Sequence, residues 1–266
     1  MKVIGALVTA LVQGRGGVLV IEGPPGIGKS RLLTELMELA DKAGVRTLFG
    51  EAFEYQQTVP FFSLFMATLR ADPPVGDADA LRRLGGSEDL RYWVVDDLAD
   101  AIRAAAAQTP LAIVLEDIHW ADNSTLLALR SLATAQPGVA VLWVLTARTG
   151  AGGLGVQETL SVLQRAGAAV VRVAAMSAGA VADMVSDVVR ANADESLLNL
   201  AAKAHGNPFL VRELVGGLGE EGRLNVSGGR AVATGRTLPR RLGAGMQQRL
   251  DHLSERSEER RVGKEC

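Results

Sequence analysis

Gly23–Ser30 reads GPPGIGKS, a full G-x-x-x-x-G-K-S pattern. Glycines let successive backbone N–H groups curl around a phosphate, and a helix starting at the lysine aims its positive end at the same anion. Gly23, Pro24, Pro25, Gly26, Ile27, Gly28, Lys29, Ser30 and the following Arg31 form the candidate nucleotide-binding stretch. Lys29 is expected to reach the β- and γ-phosphates, and Ser30 to place its hydroxyl on Mg²⁺. A second signal lies at Leu111–Asp117, where an apolar run ends abruptly in Glu116 and Asp117. A buried strand finishing in paired carboxylates fits a site that holds Mg²⁺ on a nucleoside triphosphate. Glu116 stands where the metal-associated acid is expected and Asp117 where a carboxylate would orient water. The usual order puts aspartate first, so the two roles can be exchanged. Arg148 closes LWVLTAR and would emerge at the same sheet edge, where a guanidinium can read a γ-phosphate. An ordinary surface arginine is an equal alternative.

Other patterns carry less. GAGGLG at Gly150–Gly155 has no acid about 20 residues further on, as a dinucleotide fingerprint requires. GLGEEG at Gly217–Gly222 follows a helix and reads as a cap and turn. His119, His205 and His252 lack metal-ligand spacing. His119 and Trp120 are expected to pack beneath the acid pair, and Asp122 to cap the next helix or hydrogen-bond near the site.

These residues need a scaffold. Short apolar runs at Val18–Glu22, Val45–Gly50, Leu111–Leu115, Val139–Ala147 and Ala168–Val173 predict buried strands. Helical periodicity over Ile4–Val12, Leu32–Ala40, part of Phe53–Leu69, Ser87–Ala107 and Ser124–Ala135 alternates with them, with a loop over Asp72–Gly86 and a turn at Pro137-Gly138. That alternation predicts a parallel sheet covered on both faces. From about Met176 the pattern becomes helical without strands: Val181–Arg190, Leu197–Ala204, and Phe209–Leu218 after a GNP turn. Gly216–Gly235 reads as a hairpin or loop, and Leu238–Leu253 opens a further unit.

The 266 residues suffice for one α/β domain and a smaller one. A hydrophobic fraction of 48% with a net charge of −2 fits a soluble protein and argues against a broad nucleic-acid surface. No apolar run reaches the roughly 20 residues of a membrane span, and a cytoplasmic location is expected. Arg256–Cys266, RSEERRVGKEC, resembles translated sequencing-adapter DNA and holds the only cysteine. With it set aside, disulfides and cysteine-ligated zinc are excluded, and the natural protein is expected to continue beyond Glu255.

In combination, GPPGIGKSRLL, LEDIHWADNSTLLALRSLA, the LTAR strand end, GNPFLVRELV and LPRRLGAGMQQRLDHLSE resemble the nucleotide-binding module of the large ATP-binding LuxR-family regulators. These are AAA-like signal-transduction ATPases with numerous domains. The resemblance covers nearly all of residues 1–255. It implies an α/β P-loop NTPase with a five-stranded parallel sheet over 1–175, a small helical lid over 176–235, and the start of a winged-helix-like unit over 236–255. It implies ATP/ADP and Mg²⁺ as ligands, Pro208 contacting adenine from the lid, and Arg148 sensing the γ-phosphate. It also implies self-association in the ATP state, with DNA bound only through a C-terminal domain outside this chain. Set against that family's pattern, the segment that normally precedes the first helix and helps hold adenine is expected to be missing or reduced to Met1-Lys2. A free-standing P-loop ATPase or kinase, and an origin-recognition-like DNA-binding ATPase, are the alternatives.

Overall fold

The computed structural model describes residues 1–77, 91–134 and 138–240. The expected Ser87 cap, the loop beyond residue 77, Ala135, Pro137 and the tail 256–266 lie outside them, as do residues 241–255 of the 236–255 unit.

The first unit, Met1–Val173, is a five-stranded parallel sheet. Its strands are β1 (Gly17–Gly23), β2 (Arg46–Glu51), β3 (Leu111–Glu116), β4 (Val141–Arg148) and β5 (Ala169–Arg172), in the order β2-β3-β4-β1-β5. Side chains alternate between faces along a strand, and the core divides accordingly. Leu19, Ile21, Ala112, Val114, Leu142 and Val144 face one side, packed with α1 (Lys2–Val12) and α2 (Lys29–Lys42). Val20, Ile113, Leu115, Trp143 and Leu145 face the other. That side is covered by α3 (Phe62–Leu69), α4 (Arg91–Ala106), α5 (Asn123–Leu132) and α6 (Gly153–Arg165). β3 and β4 are buried along their length until their last residues, Glu116 and Arg148. Both faces being covered makes these strands read as continuous apolar runs. Their charged ends then stand together at the C-terminal edge of the sheet, where ligands of open parallel sheets bind.

The second unit begins at Ala174. Helices α7 (Ala178–Val189), α8 (Glu195–Ala201) and α9 (Pro208–Glu220) bury Val181, Val185, Leu197, Leu200, Val211, Leu214 and Leu218 in a core of their own. Ser177, Asp194 and Asn207 cap the three helices by accepting from backbone N–H groups. The hairpin given as one alternative over Gly216–Gly235 is present, and the expectation of helices without strands is corrected there and at residues 192–193. β6 (Asn192–Ala193), β7 (Leu224–Ser227) and β8 (Arg230–Ala233) form a small sheet in the order β6-β8-β7. β7 and β8 are a hairpin whose two turn residues, Gly228 and Gly229, have φ 54° and 73°, which suits a tight turn between twisted strands. β6 spans two residues, too few to leave an alternating pattern in sequence.

Candidate nucleotide site

β1 delivers the chain at Gly23 into a loop that ends at Gly28, the N-cap of α2. A Cβ on Gly23 would lie 2.8 Å from Ile27 and 3.3 Å from Val173, so glycine alone fits the closed turn. Gly28 has φ 106°, a region that side chains avoid. The first turn of α2 has neither a side-chain cap nor an acidic residue, which leaves its N–H groups to an incoming anion.

Lys29 is only 7% exposed, and its Nζ donates to the carbonyls of Gly23 (3.1 Å) and Pro24 (3.2 Å). Burial pulls its pKa below the ordinary lysine value. Asp117 opposes that shift, Arg148 adds to it, and Glu116 opposes it. Ser30 Oγ donates to Glu116 Oε1 at 2.5 Å, joining the start of α2 to the end of β3. Asp117 follows in the left-handed region at φ 55°, and its N–H donates to Thr146 Oγ1 at 2.8 Å. Thr146 is fully buried on β4. Arg148 lies in register with Gly23 across β4 and β1, and its guanidinium carbon sits 5.9 Å from the centre of the Trp120 ring.

The structure therefore brings Lys29, Ser30, Glu116, Asp117 and Arg148 to one sheet edge. Pro24 supplies a carbonyl to Lys29, Ile27 is buried under Gly23, and Arg31 turns outward to pair with Glu35. Pro208 occupies the first turn of α9, in the second unit. Asp122 caps α5, accepting from Thr125 N–H at 2.9 Å, and also accepts from Phe61 N–H at 2.9 Å.

Sequence reasoning passed over Glu51 and Thr146. Glu51 ends β2 in register with Glu116. Burial, then Glu116, then Asp117 raise its pKa above the ordinary carboxylate value. The signal was present: an apolar strand with an acid at its C-terminal end, like Leu111–Glu116. Its meaning appears only once β2 is known to neighbour β3.

Three carboxylates against Lys29 and Arg148 suit a polyphosphate that brings a divalent cation. Among the described residues no group of three or more His, Cys, Asp or Glu is placed to hold a metal by itself. Ser30 Oγ and Glu116 Oε1 are oxygen donors of the kind Mg²⁺ takes, one or two from protein with phosphate oxygens and water completing its shell. Ser30 and Glu116, in contact at the mouth of the phosphate loop, would be the residues to hold such a cation.

Residues 2–144 match the family model of the AAA ATPase domain. The chain belongs to that family. Within this AAA ATPase domain the phosphate loop and the acid pair fall inside the matched residues, while Thr146, Arg148 and Pro208 fall beyond them. The fold resembles the Aeropyrum pernix ORC2 protein in its ADP form, at 13% identity and a TM-score of 0.58 over 83% of this chain and 62% of that one. It also resembles the Aeropyrum pernix ORC1 protein in complex with DNA, at 16% identity and 0.55 over 94% and 64%. These likenesses place the parallel sheet and its helices in the P-loop NTPase fold. An uncharacterized protein of Rhizobium meliloti (strain 1021) is 27% identical over 56% of this chain and 18% of its own length. The AAA chain thus spans less than two thirds of each of these relatives. Among the described residues no helix is long and apolar enough to cross a membrane.

Proposed function

We propose that this chain is an ATP-binding, slowly hydrolysing switch module of a cytoplasmic LuxR-family transcriptional regulator. The observation that carries nucleotide binding is the Ser30–Glu116 contact at the mouth of the phosphate loop, with buried Lys29 beside it. In this reading Lys29 grips the β- and γ-phosphates, Arg148 reads the γ-phosphate, and Asp117 orients the attacking water. Glu116 and Ser30 hold Mg²⁺, which when bound neutralises charge developing on the phosphates. Pro208 contacts adenine from the lid, ADP holds a closed state, and ATP opens the module to self-associate. DNA is reached only through a domain outside this chain.

Energetics argue for shared sensing. Moving a two-state protein from 1:99 to 99:1 takes about 5.5 kcal/mol of differential binding. One charged hydrogen bond supplies about 1.5–3 kcal/mol. Arg148 alone is therefore insufficient, and several γ-phosphate contacts must act together.

The first test is calorimetric titration of Mg-ATP with turnover measured on the same sample. Lys29→Ala should weaken ATP about 10- to 100-fold, from the loss of one charged contact. Unchanged binding would remove Lys29 from the site. Asp117→Asn should keep Mg-ATP and slow turnover. For the regulator reading, long-read sequencing of the source locus past the Glu255 codon decides. A frame running into helical repeats and a helix-turn-helix supports it, and a stop after Cys266 removes the output domain.

An origin-recognition-like DNA-binding ATPase is the second reading, favoured by the likeness to the Aeropyrum ORC1 protein in complex with DNA. Fluorescence anisotropy with labelled duplex separates the two: tight binding by this chain alone would favour the second.

A further inference from the structure

His119 lies in the single 3-10 turn Ile118–Trp120 that follows Asp117. It is 3% exposed, and neither ring nitrogen has a hydrogen-bond partner. Buried polar side chains are nearly always satisfied, so a ring with both nitrogens orphaned needs an explanation. One acceptor stands close to it. Nδ1 stands 3.6 Å from Asp117 Oδ1, a few tenths of an ångström outside hydrogen-bond reach. The ring cannot turn away freely. Trp120 packs against it with centroids 5.0 Å apart, and Gly152, at the start of α6, presses on the backbone so closely that a Cβ there would come within 2.9 Å of His119 Cα. The backbone N–H of Asp117 is held by Thr146, and its side chain is 26% exposed. The carboxylate is thus partly open to solvent, with Oδ1 toward the imidazole.

We infer that His119 is the positioning residue of Asp117: a neutral imidazole whose Nδ1–H donates to Oδ1, so that the other carboxylate oxygen is aimed at the attacking water. The inference rests on the hydrolytic role proposed for Asp117. A carboxylate acting on water must hold one orientation, and small misplacements at a reacting centre are costly in rate. Hydrogen-bonding a reactive group's far side is the general way to fix it. Neutrality matters, since an imidazolium would draw Asp117's charge away from the water. Burial keeps the ring neutral, Arg148 and Lys29 act in the same sense, and Asp117 alone opposes them.

Two measurements on the full chain test this. The first needs no turnover: ¹⁵N-imidazole spectra of the three histidines, with His119 assigned by His119→Phe. The expected result is the Nδ1–H neutral tautomer, with an Nδ1 resonance that moves in Asp117→Asn. An Nε2–H tautomer, or an Nδ1 resonance indifferent to Asp117→Asn, overturns the inference. The second is a kinetic cycle. His119→Phe should lower kcat about 10- to 100-fold, with KM for Mg-ATP within about threefold. His119→Asn, which keeps a donor, should recover part of the loss. In the Asp117→Asn background, His119→Phe should cost nothing more. Losses that multiply would show an effect on folding or on another group, against the inference. If the wild type shows no turnover, the hydrolytic reading fails alone, and the tautomer still decides the link. If His119→Phe does not fold, His119→Asn carries both the assignment and the cycle.

Discussion

The Ser30 hydroxyl donates to the Glu116 carboxylate at 2.5 Å, across 86 positions of sequence. It ties the first turn of α2 to the last residue of β3, so the pair proposed to hold Mg²⁺ is brought together by the fold. Preassembly of this kind spares the ordering cost at the moment of binding.

Ser30→Ala is expected to weaken Mg-ATP about tenfold, the worth of one charge-assisted contact, while metal-free ATP binds as before. Titrations with Mg²⁺ and with a chelator make the comparison. Equal weakening in both would place Ser30 on a phosphate and not on the metal.

Arg148 stands in register with Gly23 and over Trp120. Its removal should act on the γ-phosphate alone. For Arg148→Ala the ATP-to-ADP affinity ratio is expected to fall about 10- to 100-fold, the equivalent of one charged hydrogen bond. Equal losses for both nucleotides would return Arg148 to an ordinary structural arginine packed on Trp120.

His119 also gives the protein an acid sensitivity whose sign is fixed. Its pKa in the fold lies at about 4, below the ordinary 6.5, chiefly through burial. The unfolded chain therefore binds a proton that the native state refuses. The associated stability is present above pH 6.5 and is lost as pH falls from there towards 4. The expected loss from pH 7 to pH 5 is about 2 kcal/mol. Urea melts of wild type and His119→Phe at the two pH values isolate it. A variant that loses as much as the wild type would assign the sensitivity to other groups.

The parts of the site legible in sequence are those whose chemistry is local. GPPGIGKS states its own turn through Gly23 and Gly28, and Glu116-Asp117 announces a polar end to an apolar strand. Buried parallel strands are nearly featureless apolar runs, which is why β1, β3 and β4 could be placed to within about two residues. What sequence could not show depends on neighbours distant in the chain. Glu51 becomes a site residue because β2 pairs with β3, and Thr146 because it reaches back to the Asp117 amide. His119 was legible as a packed ring, but its orphaned nitrogens are a property of what surrounds it. In the second unit, β7 and β8 fall within the hairpin-or-loop reading of Gly216–Gly235, whereas β6, two residues long, offers a single alternation and leaves no strand pattern.

Asp122 separates the fold from the chemistry. It is 5% exposed and accepts from Thr125 N–H at 2.9 Å, Thr125 Oγ1 at 2.6 Å and Phe61 N–H at 2.9 Å. The last of these holds a fully buried phenylalanine in the left-handed region at φ 59°, where a side chain is strained. One carboxylate thus caps α5 and pins the entry to α3, five residues after Asp117. Asp122→Ala leaves buried donors unsatisfied and frees a strained turn, so a loss of about 2–4 kcal/mol is expected by urea denaturation. Asp122→Asn keeps the acceptor to Phe61 and Thr125 and should lose less. Because the hydrogen bonds of Asp122 go to Phe61 and Thr125, the folded fraction of either variant should bind Mg-ATP as the wild type does. A folded Asp122→Ala protein that has lost nucleotide would instead put Asp122 in the site, and the order of the Asp117–Asp122 turn would then belong to function as much as to stability.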